Sequence, residues 1–128
     1  MIILGDKIDE AINNGLARQV IVADSEGFVL DNKGHVYDPD ELVSVFMSTQ
    51  RHTEEGVARL NFGQVNEFSF RLVGTDMTIA CRRVYWADGG CLVIVVVPLG
   101  AAHNLIILDV IRTYGKYVEE QRAALQMS

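Results

Sequence analysis

The sequence lacks the features that mark secreted and membrane-inserted proteins. Its two cysteines are too few for the disulfide framework of a small secreted domain. Its longest apolar run, residues 91–102, is interrupted by Pro98 and Gly100 and is too short to span a bilayer. The N-terminal stretch MIILGDKIDE has neither the positive start nor the apolar length of a signal peptide. We therefore expect a cytoplasmic protein without a membrane partner.

Positive charge is also scarce. Eleven Lys and Arg residues stand against 17 Asp and Glu, which gives a net charge of −6. Arg82 and Arg83 are adjacent, but side chains alternate along a strand, so these two point to opposite faces. Nucleic-acid binding and attachment to an anionic membrane both need clustered basic residues. The charge balance argues against both partners and is compatible with a basic patch on another protein.

Residues that could carry catalysis or hold a metal are not grouped. His35, His52 and His103 share no metal-ligand spacing, and neither an HExxH nor a CxxC motif is present. No nucleophile accompanies a general base. We expect no cofactor, no metal and no enzymatic activity.

The segment ARQVIVADSEGFVLDNKG, residues 17–34, is the one stretch that resembles a ligand loop. An EF-hand that began at Asp24 would need an acidic ligand at its fifth position, which is Phe28. The single glycines also fail the spacing of a phosphate-binding loop. The acidic cluster around Gly27 therefore predicts the turn of a β-hairpin.

The chain length predicts one domain, residues 1–128, with 49% apolar residues to fill its core. Periodicity and turn residues predict the order α-β-β-α-β-β-β-α, an α/β (α+β) fold with helices packed on a five-stranded antiparallel sheet. The predicted elements are a helix at 2–14, strands at 20–24 and 28–30, a helix from Asp38-Pro39 to about Leu60, strands at 65–73, 77–86 and 91–97, and a helix at 101–122. The strand CLVIVVV at 91–97 has no polar face, so it belongs in the middle of the sheet.

The helix over residues 40–60 carries more apolar surface than one core face requires. Leu42, Val45, Phe46 and Thr49 form one stripe, while Val43, Met47 and Val57 fall on another. One interpretation is a slightly apolar helix with Met47 half exposed. The other is a second buried face, at a dimer interface or against a different partner. The final helix is also largely apolar and is expected to lie across the centre of the sheet beside the first helix.

The two cysteines flank the predicted hairpin loop 87–90. With that loop, Trp86 faces Cys91 and Cys81 faces Val96, which places the cysteines too far apart for a disulfide. We expect two buried free thiols.

Several segments together resemble the roadblock/dynein-light-chain domain family. VIVADSEGFVLDNKG, residues 20–34, is similar to the opening hairpin of these domains, and the helix from Asp40 is similar to their central helix. Residues 62–111 resemble their three-strand meander and last helix, with DGGCLVIVVVP similar to their apolar final strand.

The resemblance implies a profilin-like fold and homodimers or heterodimers that pair their central helices and adjoining strands. It further implies a regulator or scaffold for small Ras-like GTPases, or a dynein-light-chain adaptor, with no bound cofactor. The surplus apolar residues of the central helix and the strand at 65–73 fit such a surface independently. The candidate dimer or partner interface comprises Val43, Phe46, Met47, Gln50, Glu54, Val57, Val65, Glu67, Ser69 and Arg71.

The sequence therefore predicts a non-catalytic, dimeric interaction module that acts on a small GTPase. A small-molecule sensor with a pocket between sheet and helix stays open as an alternative, as does a structural adaptor. The predicted inward residues of the sheet are apolar, which favours the interaction module over the sensor.

Overall fold

A computed structural model describes residues 5–60, 65, 67–86 and 89–127. The elements follow the predicted order and comprise α1 (Asp6–Asn13), β1 (Gln19–Asp24), β2 (Val29–Gly34), α2 (Pro39–Leu60), β3 (Glu67–Arg71), β4 (Met77–Trp86), β5 (Gly89–Pro98) and α3 (His103–Met127). The boundaries differ most at three elements: β2 continues through Gly34, β3 is shorter than the predicted 65–73, and α3 continues to Met127. The part of the first helix predicted at residues 2–4 lies outside the described residues.

The five strands form one antiparallel sheet, as predicted, and their order in it is β2-β1-β5-β4-β3. The apolar strand β5 lies at the centre, and residues 91–97 are all buried. A strand that is apolar on both faces can bury them only between two covered sides of a sheet. The composition of β5 therefore requires helices on both faces.

Each face of the sheet carries its own apolar cluster. On one face, α1 and α3 cover a cluster that includes Val22, Val93 and Val110. On the other, α2 covers a cluster that includes Ile21, Ile94 and Phe46. Because strand side chains alternate, neighbouring residues of β1 and β5 contribute to opposite clusters.

The acidic segment after β1 is a hairpin turn, as its glycine and acidic residues predicted. The Asp24 carboxylate accepts backbone hydrogen bonds from Glu26 at 2.9 Å and Phe28 at 3.0 Å. Gly27 adopts a φ of 95°, a conformation that glycine enters without steric cost. The carboxylate of Asp24 thus stabilises the turn.

The side chain of Gln19 connects β1 to the loop before α2. Its Nε2 donates to the Asn32 side-chain oxygen and to the Tyr37 carbonyl, both at 2.9 Å. Its Oε1 accepts from the backbone amides of Val36 at 3.3 Å and Tyr37 at 2.9 Å. This fully buried glutamine therefore has partners for both of its polar atoms.

Gly34, at the end of β2, lies against the backbone that enters β1. A Cβ at this position would overlap the Arg18 carbonyl oxygen and lie 2.8 Å from the Gln19 Cα. Its φ of 85° also disfavours any side chain. The close approach of the two chain segments requires glycine here.

We expect Gly34→Ala to lower the free energy of unfolding by about 3 kcal/mol, because it adds both backbone strain and a backbone clash. Gly56→Ala is the matched control. A Cβ there meets no atom within 4 Å, and alanine in a helix interior should raise the free energy by about 1 kcal/mol. Urea denaturation of both variants measures the difference. Equal effects would contradict this account of Gly34.

Candidate functional site

Helix α2 positions most of the predicted interface residues, and its start is fixed by local chemistry. The Asp38 carboxylate accepts a hydrogen bond from the Glu41 amide at 3.1 Å, and the Asp38 carbonyl accepts from the Leu42 amide at 3.0 Å. Pro39 occupies the first helical position, where no amide hydrogen is needed. These contacts fix the start of the helix at the predicted Asp38-Pro39 pair.

The buried stripe of α2 differs from the predicted one. It consists of Leu42, Val43, Phe46 and Gln50, whereas Val45, expected in the core, is 53% exposed. The prediction was wrong in part: the two stripes share Leu42 and Phe46, but Val43 and Gln50 are buried in place of Val45 and Thr49. The structure therefore buries three predicted interface residues within the protomer, where a partner cannot reach them: Val43, Phe46 and Gln50.

The ring of Phe46 accounts for this orientation. Its centroid lies 5.2 Å from that of Phe68 and 5.4 Å from that of Phe70, both on β3. Aromatic pairs at such separations contribute about 1 kcal/mol each beyond their buried area. The contacts turn Phe46 and its helical neighbour Val43 toward the sheet and leave Val45 outside.

The second half of α2 has no such core. Residues 51–60 contribute no side chain to either apolar cluster. Val57 is half-buried and Leu60 is 62% exposed. An isolated helical segment is marginally stable in water and gains most of its stability by packing. Val57 and Leu60 are therefore the apolar residues of this half that neither described cluster includes.

Strand β3 is an edge strand, and its predicted interface residues lie on the face opposite α2. Glu67 forms an ion pair with Arg82 at 3.1 Å, and Arg82 also contacts Asn104 of α3. Alternation places Ser69 and Arg71 on this same face, and both are exposed. Val65 precedes the strand and is half-buried. The predicted interface residues of β3 thus lie on the face of the sheet opposite to those of α2, and the candidate set does not form a single surface.

Between α2 and β4 lies a polar cavity of about 430 Å³. Its lining residues are Met47, Gln50, Arg51, Glu54 and Arg83. Three of these belong to the predicted interface, but Arg83 was not among the candidates. The sequence did contain a signal for Arg83, because the alternation of side chains along β4 places Arg82 and Arg83 on opposite faces, with Arg83 on the face that α2 covers.

The two cysteines lie on opposite faces of the sheet. Cys81 pairs with Ile94 and Cys91 with Val84, two residues away from the predicted register. The reason is that Gly89 and Gly90 belong to β5, so the connection is shorter than the four-residue loop expected. Both thiols are nevertheless free and buried, as predicted.

Burial raises the pKa of both thiols from 9.0 to about 12. For Cys81, burial is the largest effect, the positive charge of Arg83 lowers the pKa, and the negative charge of Glu67 raises it. Both cysteines are therefore neutral thiols at physiological pH. The thiolate is the nucleophilic form, so neither residue is suited to redox or nucleophilic chemistry.

We expect both thiols to resist Ellman's reagent in the folded protein and to react fully after unfolding. Because the pKa values are raised on folding, the stability contributed by the thiols is intact below about pH 9 and falls as the pH rises toward about 12. Urea denaturation across this range, compared with a Cys81→Ala, Cys91→Ala double variant, isolates the thiols from other titrating groups. Native thiols that react at the unfolded rate would contradict their burial.

Within the described residues there is neither a metal-binding cluster nor a membrane-spanning helix. No group of three or more His, Cys, Asp or Glu side chains in that part of the chain could hold a metal ion. No helix in the same part of the chain is long and apolar enough to cross a membrane.

No family model and no curated protein matches the sequence, but several solved structures match its fold. An MglB structure with a tetrameric arrangement has a TM-score of 0.63 at 20% identity, covering 83% of this chain and 78% of that one. MglB of Myxococcus xanthus has a TM-score of 0.64 at 11% identity, covering 89% of this chain and 90% of the other. A roadblock/LC7 domain from Streptomyces avermitilis has a TM-score of 0.62 at 12% identity, covering 83% and 86%. This chain is therefore a domain of the roadblock/LC7 fold.

Proposed function

We propose that the protein is a non-catalytic interaction module that dimerises through α2 and the β3 edge and regulates or scaffolds a small Ras-like GTPase. The observation that supports it most strongly is the second half of α2, whose Val57 and Leu60 belong to neither apolar cluster of the described residues. The fold adds support, because the family that the sequence resembles includes GTPase regulators.

The edge strand β3 supports the same surface. Five residues of β3 pair with β4 on one side, and β3 is the last strand of the described sheet on the other. An uncovered edge offers backbone hydrogen-bonding groups to another strand. Pairing of two β3 edges would extend the sheet across a dimer and bring both copies of α2 together. Because Gln50 is buried like Val43 and Phe46, the predicted interface residues that remain available for this role are Met47, Glu54, Val57, Val65, Glu67, Ser69 and Arg71.

Light scattering at micromolar concentration tests the dimer. We expect twice the 14.2 kDa mass of one chain, and we expect Val57→Asp to return the mass to that of a monomer by placing a charge in the apolar contact. Leu99→Asp is the matched control, since Leu99 is an exposed apolar residue in the turn after β5. A monomeric wild-type protein would contradict the dimer.

The GTPase partner requires a separate binding measurement. The test protein is a Ras-like GTPase, loaded either with GDP or with a non-hydrolysable GTP analogue. We expect the affinities for the two nucleotide states to differ by about tenfold, which corresponds to a coupling of about 1.4 kcal/mol. Binding in neither state would argue against GTPase regulation even if the protein is a dimer.

A further inference from the structure

A groove lies between the end of α1 and the start of α3, on the face of the sheet opposite α2. Its volume is about 410 Å³, which is within the range of ligand pockets, about 300–1,000 Å³. Ala11 and Ile106 line it and belong to the buried core. Leu16 and Leu105 also line it, but they are 56% and 64% exposed. This α1–α3 groove therefore presents apolar side chains to solvent above a packed floor.

The α1 wall of the groove is fixed by the way this helix ends. Gly15 has a φ of 75°, and its amide donates to the Ile12 carbonyl at 3.2 Å. The Leu16 amide donates to the Ala11 carbonyl at 2.9 Å. These bonds and the left-handed glycine form a Schellman motif, which commonly brings the residue after the glycine against the last turn of the helix. Backbone hydrogen bonds therefore hold Leu16 in place beside the groove.

The α3 wall begins at a tight turn. The Ala101 amide donates to the Pro98 carbonyl at 3.0 Å, and Gly100 between them has a φ of 83°, which is typical of the third residue of a type II turn. Ile106 and Val110 then hold the helix on the sheet. Both walls of the groove are therefore preformed.

The charge around the groove is negative. Glu10 lines it from α1 and Asp109 from α3, and no described lining residue is basic. Arg112 lies 3.9 Å from Asp109 but is largely exposed, and a pair of this kind contributes little. The start of α3 and the end of α1 carry opposite helix-dipole charges of about half an elementary charge each. These partial charges offset each other, so the two carboxylates decide that a bound group must be cationic.

The walls of the groove also determine the shape of its occupant. They are formed by two helices and their flanking turns, and no described residue of the edge strands β2 and β3 lines the groove. An extended peptide would need the free backbone groups of such an edge, whereas an amphipathic helix binds a groove through its side chains alone. An anionic membrane surface would be repelled by Glu10 and Asp109.

We propose that the α1–α3 groove docks a basic amphipathic helix of a partner protein. Apolar side chains of that helix contact Leu16, Ala102 and Leu105, and its Lys or Arg side chains pair with Glu10 and Asp109. The sheet separates this groove from α2. The proposal therefore goes beyond the function proposed above, because the protein would join a second partner to the one that binds at α2.

Fluorescence anisotropy of a labelled model peptide, with the full-length protein, tests the site. The probe is a helix of about 15 residues built from Leu, Ala and Lys, with Leu in one helical stripe and Lys on both sides of it. The matched probe carries Glu in place of every Lys. We expect the Lys peptide to bind saturably and the Glu peptide to bind at least about tenfold more weakly, because its charges face Glu10 and Asp109. Equal affinities, or no binding of the Lys peptide, would overturn the proposal.

A variant that fills the groove locates the bound peptide. Ala102 lines the groove and is exposed, so Ala102→Trp adds a ring there without disturbing the core. It should weaken binding of the Lys peptide at least about tenfold. Ala123→Trp is the matched control, because Ala123 is an exposed alanine of α3 outside the groove, and it should bind as the wild type does. Urea denaturation verifies that both variants are folded, and full affinity in folded Ala102→Trp would overturn the site.

A second pair of variants separates the rim from general charge attraction. The double variant Glu10→Gln, Asp109→Asn should bind the Lys peptide about tenfold more weakly. The double variant Glu119→Gln, Glu120→Gln removes the same charge from an exposed part of α3 outside the groove, and it should leave the affinity unchanged. Equal losses in both would overturn the pairing with Glu10 and Asp109.

The groove and the proposed dimer surface are tested independently. Val57→Asp should bind the Lys peptide as tightly as the wild type, because α2 lies on the other face of the sheet. A monomeric wild-type protein that binds the Lys peptide would support the groove and contradict only the dimer. If Ala102→Trp lowers the mass measured by light scattering, a second copy of this chain fills the groove, and this result would overturn the assignment to a separate partner.

Discussion

The strand β5 imposes the constraint on which the rest of the molecule depends. Residues 91–97 are apolar on both sides and fully buried, so the sheet must be covered on both faces. The helices α1 and α3 cover one face, and α2 alone covers the other. The two buried thiols follow from the same arrangement, because Cys91 belongs to β5 and Cys81 to its neighbour β4, on opposite faces. Their neutrality is thus a consequence of the core and not of a reactive site.

The two halves of α2 differ in how much they contribute to this core, and the difference bears on function. The first half of the helix buries Leu42, Val43 and Phe46, while residues 51–60 bury none. Gln50 lies at the junction, beside a cavity that also contains Arg83. A helix with only a structural role would gain little from its second half. The uncovered segment belongs to α2 itself, and the β3 edge and the polar cavity both adjoin this helix. This arrangement supports a partner-binding role for this side of the molecule.

The sequence was sufficient for features that depend on local patterns. The position of β5, the hairpin at Asp24, the capped start of α2 and the opposite directions of Arg82 and Arg83 all follow from alternation or from turn and cap chemistry. The buried stripe of α2 could not be predicted from such local patterns, because the contact of Phe46 with the β3 rings selects the rotation of the helix. The β4–β5 register was displaced by two residues because glycines that can form a turn can also continue a strand.

The polar cavity could not be predicted for a different reason. Gln19 and Gln50 are the same residue type, and only the folded chain shows that one has four hydrogen bonds while the other has an unused oxygen. Likewise, Arg83 was recognised as a strand residue, but its missing acceptor is a property of the tertiary structure. Whether a buried polar atom has a hydrogen-bond partner depends on contacts between distant segments, and the periodicity of the sequence carries no information on those contacts.

The central claim is that the second half of α2 is covered by a partner surface, for which a second copy is the first candidate. Hydrogen exchange of the backbone amides of α2, measured at high and low protein concentration, tests it most directly. The account predicts that residues 42–50 are protected at both concentrations, while residues 51–60 become protected only at the high concentration. Exchange in residues 51–60 that is equally fast at both concentrations would contradict it.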